Sequence, residues 1–266
     1  MDPSDDGEEV TLAKRRIALR PHPQPHSSSH PNLLLAALPP EDFARVQRSV
    51  GTIDVKLKQL LHKPGEVVDY VYFPGNGFCS VLTALADGRM VEVATVGREG
   101  AIGVSAILGN TPNPSVTMVQ AAIDPCFRMT ADAYRVEMSR HGAFYDLLTR
   151  YSQAMVGFIM QSTACNAVHH LEQRLARWLL LARDRVGSDE FPMTQEFLAM
   201  MLGASRPTVT VVAGTLQKAG LIKYHRGLMT IVDGDALEEA SCECYRTASD
   251  LLRAVTGDGA SSRGSG

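Results

Sequence analysis

The chain has 266 residues, 45% hydrophobic and 21% charged, with a formal net charge of −3, a make-up that suits a folded protein of two domains or one large one. No run of about 18 apolar residues offers a membrane span, the acidic opening MDPSDDGEEV lacks the apolar core of a signal peptide, and five scattered cysteines do not make a secreted disulfide framework. A cytoplasmic location with no membrane partner is therefore expected, and the mildly acidic balance does not advertise nucleic-acid binding, although a small reading face can be locally basic on such a chain.

Residues 1–31 carry Pro21, Pro23, Pro25 and Pro31, three consecutive serines and no apolar periodicity, so they are expected to be a disordered extension. His22, His26 and His30 recur every fourth position, but the prolines forbid the helix that would align them on a metal. Asn32 is placed to cap a short helix over 33–38, and PEDFARVQRSV (40–50) is a second. From Lys56 to Met129 short β-prone runs (67–73, 78–85, 90–96, 115–121) alternate with turn signals such as Asp87-Gly88. That texture predicts an antiparallel barrel or roll.

Residues 131–186 contain no proline. Phe144, Leu148, Tyr151, Met155, Phe158, Ser162, Cys165 and His169 follow steps of four and three, the spacing of a heptad seam. A long helix of this kind either packs on its own roll or pairs with its twin through Phe144, Leu148, Tyr151, Met155, Phe158 and Ser162, and pairing is the expectation. Cys165 and His169 are taken as the seam's end near a hinge rather than as metal ligands. A further amphipathic helix, Glu172–Val186, carries Trp178 on its apolar side.

The segment TQEFLAMMLGASRPTVTVVAGTLQKAG (194–220) is a helix-turn-helix by local pattern. Thr194 and Ser205 are N-caps, Gly203 suits a left-handed turn, and Pro207 sits in a first turn where its missing N–H costs nothing. Two helices so joined can present the second to a DNA major groove. In LIKYHRGLMTIVD (221–233) two β-prone runs flank Arg226-Gly227. They form a two-stranded wing, with Lys223, His225 and Arg226 placing charge near its tip for phosphate. Ala236–Val255 is expected as one more helix, and 256–266 as a flexible tail. On such a helix Cys242 and Cys244, two apart, would point away from each other, so no redox pair is expected.

A β-roll, a long dimer helix and a winged helix-turn-helix, in that order, resemble the Crp/Fnr family of bacterial transcription regulators. The likeness spans roughly residues 33–245 and is most specific in RLARWLLLARDRVG and MTQEFLAMMLGASRPTVTVVAGTLQKAGLI. It implies an α+β architecture: a jelly-roll-like sensor over 32–139, a dimerisation helix over 140–168, and a winged helix-turn-helix over 169–245. The end of the last helix and the tail follow over 246–266. It also implies a homodimer on a palindromic duplex, with RNA polymerase as a further partner. Where the family's recognition helix opens Ser-Arg-Glu-Thr-Val, this chain has Ser205-Arg206-Pro207-Thr208-Val209. Arg206 then matches the guanine-reading arginine, whose fork suits that base. Ser205 and Thr208 hold phosphate or cap the helix, Thr210 meets a base edge or a thymine methyl, and Pro207 and Val211 replace charged base readers, so the preferred site should differ from the family's best-known one.

The same resemblance argues against the usual effectors. Val104 stands at the ribose-binding glutamate position and Pro114 where an arginine should precede Ser115, so cyclic AMP held in the usual way is not expected. No cysteine precedes Cys79, which excludes an N-terminal iron–sulfur cluster of the family type. Arg89 and Arg98 are read as solvated turn residues, and nothing marks His62 or Cys79 as haem ligands. No resident cofactor or metal is expected and no effector-binding residue is assigned. With no catalytic triad, metal-ligand motif or phosphate loop, an enzyme is not expected. The alternative is a ligand-binding or redox-sensing module whose helix-turn-helix mediates protein contacts.

Overall fold

The computed structural model describes residues 30–109 and 111–257; the proposed N-terminal histidine repeat, apart from His30, lies outside them, as does the tail from 258. Two short helices open the described chain: α1 (Leu33–Ala36) and α2 (Pro40–Gln47). Asn32 caps α1 by accepting from Leu35 N at 3.1 Å, and its amide donates to the carbonyls of Pro74 and Gly100 at 2.8 and 2.9 Å. One buried side chain thus satisfies a helix end and ties it to the sheet that follows.

Seven strands build the roll: β1 (Gly51–Ile53), β2 (Leu60–His62), β3 (Tyr70–Pro74), β4 (Phe78–Ala84), β5 (Met90–Val96), β6 (Val116–Ala121) and β7 (Cys126–Thr130). They form two antiparallel sheets, ordered β1-β7-β3 and β2-β6-β4-β5. The four long runs expected from the sequence all lie in these sheets. The short edge strands β1 and β2, and β7, gave no comparable alternation. Asp87-Gly88 closes the β4–β5 hairpin, with Leu85 N donating to Arg89 O at 2.8 Å. Tyr72, Cys79, Val96, Ile102, Val119, Ile123 and Cys126 fill the space between strands.

Helix α3 (Ala131–Met138) leads to α4 (Ala143–Val168), 26 residues long. Here one expectation is corrected. Phe144, Leu148, Tyr151, Phe158 and Ser162 are at most 5% exposed within the single chain, and Met155 is half-buried against the same core. The heptad seam is the contact of α4 with its own roll, with α3 and, at Phe158 and Ser162, with Arg185 and Arg177 of the helix that follows. Tyr151, for instance, donates its hydroxyl to Ala101 O at 3.0 Å. A period of 3.5 marks one apolar stripe but does not say which surface covers it.

Helix α5 (Leu171–Val186) is buried on nearly all sides between 175 and 182, because the roll packs on one flank and the C-terminal elements on the other. It is followed by β8 (Glu190–Pro192), α6 (Gln195–Leu202), α7 (Arg206–Lys218), β9 (Ile222–His225) and β10 (Leu228–Ile231). Two helices then take the place of the one expected: α8 (Gly234–Ala240) and α9 (Cys244–Thr256). Ser241 is extended (φ −80°, ψ 172°), which breaks the helix and turns Cys242 into the protein, where it is 4% exposed.

Candidate nucleic-acid interface

The axes of α6 and α7 meet at 103°, the crossing of a helix-turn-helix. Each local signal has its predicted role. Thr194 Oγ1 accepts from Phe197 N at 3.2 Å and Ser205 Oγ accepts from Thr208 N at 3.3 Å, while Gly203, at φ +59°, makes the turn that a Cβ would strain. Leu198, Met201, Leu202, Val209, Ala213 and Leu216 form the buried faces, so the opposite face of α7 is left to solvent.

Ser205, Arg206, Pro207, Thr208, Thr210 and Val211 are all exposed. Val211 is 69% exposed, a large apolar side chain standing clear of any core. Ser205 and Thr208 hold each other through a 2.7 Å hydroxyl contact, so capping occupies them in the free chain. Thr210 Oγ1 lies 2.8 Å from Gln195 Oε1 and 2.9 Å from Arg206 O. Its hydroxyl is thus engaged within the domain, and its methyl is left for any outside contact. Gln195, at the start of α6, went unnoticed in the sequence; the contact joins residues fifteen positions apart, beyond the reach of periodicity.

The wing is a three-stranded sheet ordered β8-β10-β9, so the two expected strands acquire a third. Arg226 and Gly227 have φ of +49° and +81°, the pair of left-handed residues that a two-residue hairpin demands. Lys223, His225 and Arg226 are exposed, and Tyr224 N donates to Gln217 Oε1 at 2.8 Å, fixing the wing to α7. The basic groups of the wing and of the start of α7 therefore stand on one rigid unit.

A buried polar network joins this unit to the roll. Trp178 Nε1 on α5 donates to Glu92 Oε1 on β5 at 2.7 Å, and Ser80 on β4 donates to the other carboxyl oxygen. Burial pushes the Glu92 carboxyl up to about 7, against the pull of those hydrogen bonds. Arg185, 4% exposed, pairs with Glu99 at 2.9 Å and donates to Thr95 O at 3.3 Å.

In the roll, Val104 opens a 3₁₀ turn (Val104–Leu108), and Tyr134 and Arg135 donate to the Val104 and Ala106 carbonyls at 3.3 and 3.2 Å. Arg89 pairs with Asp87 at 2.7 Å in solvent, and Arg98 is exposed. His62 Nε2 lies 3.0 Å from Tyr70 O, and Cys79 is fully buried among apolar side chains. A hollow between His62, Tyr70 and Asn113 holds roughly 60 Å³ and another beside His30 and Phe127 roughly 80 Å³, well below the ~300 Å³ at which small-molecule sites begin. Among residues able to hold a metal, Cys165, His169, Cys242 and Cys244 converge.

Residues 173–240 match the model of the Crp-like helix-turn-helix domain. Among solved structures, one described as a transcriptional regulator of the Crp/Fnr family from Eubacterium rectale superposes with a TM-score of 0.63, at 20% identity over 78% of this chain and 96% of that one. A CRP-family transcriptional regulator from Thermus thermophilus gives 0.60 at 19% identity over 71% and 96%. FixK2 from Bradyrhizobium japonicum gives 0.62 at 14% over 73% and 98%. At these identities the likeness is one of fold. No curated protein matches the chain.

Proposed function

For a chain that carries a Crp-like helix-turn-helix domain within the fold of the Crp/Fnr regulators, we propose the role of a sequence-specific DNA-binding transcription regulator, acting as a homodimer on a palindromic site. The observation that carries this reading is the exposed first turn of α7. Arg206 is its first residue, the helix N-terminus attracts phosphate, and the basic wing is fixed to the same helix. Arg206 is the base reader, by a bidentate bond to guanine, while Val211 and the Thr210 methyl offer apolar contact to thymine methyls. Ser205, Thr208, Lys223, His225 and Arg226 hold phosphates and set register, and Pro207 shapes the first turn without reading a base.

The dimer surface we assign is the other side of α4. Thr149, Gln153, Val156, Met160, Thr163 and Ala167 repeat the four-and-three spacing and are all exposed, with Val156 at 52% and Met160 at 67%. The roll is the sensing domain, for an effector held without the usual cyclic-nucleotide contacts, whose binding would have to widen one of the roll's small hollows.

Selection from random duplexes followed by footprinting tests the reading. The expected result is a palindromic footprint, with Arg206→Ala weakening that site by about 1–3 kcal/mol and flattening the ranking of sequences at one base pair per half-site. Absence of any sequence preference would overturn it.

A further inference from the structure

We propose that Cys165, His169, Cys242 and Cys244 bind one zinc ion, which clamps the start of the last helix to the end of the long one. Cys165 lies on the last turn of α4 and His169 is that helix's C-cap. Cys242 sits in the break between α8 and α9, and Cys244 is the first residue of α9. The four donor atoms all lie within 4.8 Å of one another. Cys165 Sγ is 3.5 Å from Cys242 Sγ, and Cys244 Sγ is 3.5 Å from His169 Nδ1. A tetrahedral zinc with bonds of about 2.3 Å to sulfur and 2.0 Å to nitrogen sets its donors roughly 3.5–3.8 Å apart, so those two spacings sit at or just below that range.

The surroundings fit a thiolate-rich ion. The three sulfurs form a buried cluster of their own, set as close together as the ligands of one ion would be. His169 turns Nδ1 to the sulfurs while Nε2 stands 3.4 Å from Glu243 Oε1, the carboxylate–histidine arrangement that fixes a ligating imidazole. Gln161 Nε2 donates to Cys244 Sγ at 3.0 Å. Arg174 and Arg177 each interact electrostatically with Cys165 and each keeps a buried Nε without a hydrogen-bond partner, so positive charge stands beside a site that three thiolates would make negative.

Two other uses of these residues fit less well. A disulfide needs its sulfurs at about 2.05 Å, and all five cysteines are free. A [4Fe–4S] cluster holds its ligands on separate irons and a [2Fe–2S] cluster holds two pairs on two irons, so either spreads the set of four wider than one ion does. Zinc, with four protein ligands and no open position, is structural here. It would hold α9 against α4 beside the hinge from which α5 leads to the helix-turn-helix.

Elemental analysis of the full chain, purified without chelator, tests this. About one zinc per chain is expected, falling below about 0.1 in Cys242→Ser and in Cys244→Ser and unchanged in Cys79→Ser, whose thiol is buried in the roll. Because a serine variant can misfold, the unaltered chain is also stripped and refilled with cobalt(II). Tetrahedral thiolate coordination then gives intense visible absorption with sulfur-to-cobalt charge transfer. A metal-free chain with the pale spectrum of octahedral cobalt would overturn the proposal, as would iron with labile sulfide, or a Cys165–Cys242 disulfide found by non-reducing mass spectrometry. None of these readouts involves DNA, so they stand or fall apart from the reading of the recognition helix.

Discussion

Glu92 is where a single residue makes the link between roll and helix-turn-helix domain dependent on pH. Its carboxyl is enclosed by β4, β5 and α5, receives hydrogen bonds from Ser80 and Trp178, and faces Arg177 and Arg185. Burial outweighs these and raises its folded pKa from 4.5 to about 7. A raised folded pKa means the folded chain binds the proton more tightly than the unfolded one. The contribution is then fully present below about pH 4.5 and is lost as pH rises through about 7. Glu92→Gln removes the titration while keeping an acceptor for Trp178 and a donor for Ser80. Denaturant titrations from pH 5 to 8 should show the parent losing on the order of 2 kcal/mol that the variant keeps. An equal slope in both proteins would rule Glu92 out as the source.

Among the elements, α4 shows most plainly what periodicity conceals. It carries two stripes at heptad spacing, one of large apolar residues covered by its own roll and one of mixed residues left open. The first has the stronger sequence signal, and for that reason it lies inside the protomer, where apolar burial is worth most. The stripes therefore respond oppositely to mutation. Phe158→Ala, at 2% exposure, should cost about 3–5 kcal/mol by leaving a cavity. Val156→Glu with Met160→Glu should leave the protomer folded, with unchanged far-ultraviolet circular dichroism, yet convert a dimer to monomers in sedimentation, with thermal unfolding lowered only by the lost association. A double variant that remains dimeric would move the interface off this helix.

The same distinction explains which other features could be read in advance. Caps, turns and hairpins are set within four residues, so Thr194, Ser205, Gly203, Asp87-Gly88 and Arg226-Gly227 took their places as expected. Glu92 meets Trp178 across 86 residues and Cys165 meets Cys242 across 77, and no local rule contains either pairing. Treating Cys165-x-x-x-His169 and Cys242-x-Cys244 as separate pairs hid their sum. An expected unbroken helix across 236–255 then kept the second pair apart, whereas the break at Ser241 brings Cys242 inward.

For the whole molecule the issue is how a chain of net charge −3 would hold a polyanion. Its charge is not spread evenly: Arg206, Lys223, His225 and Arg226 stand together on one exposed, rigid unit, so attraction would come from that face and not from the overall charge. Affinity carried by a few phosphate contacts falls linearly with salt on logarithmic axes, by about 0.9 per contact. Two protomers on one site would double every contact. Arg226→Ala, at the wing tip, should therefore shallow that slope by about 2 while weakening all duplexes alike, whereas Arg206→Ala should alter the ranking of sequences. Fluorescence anisotropy across a salt series, with the selected site and a scrambled duplex in parallel, separates the two. A slope unchanged by Arg226→Ala would take the wing off the phosphate backbone, and a change of about 1 would mean that one wing, not two, is engaged on each site.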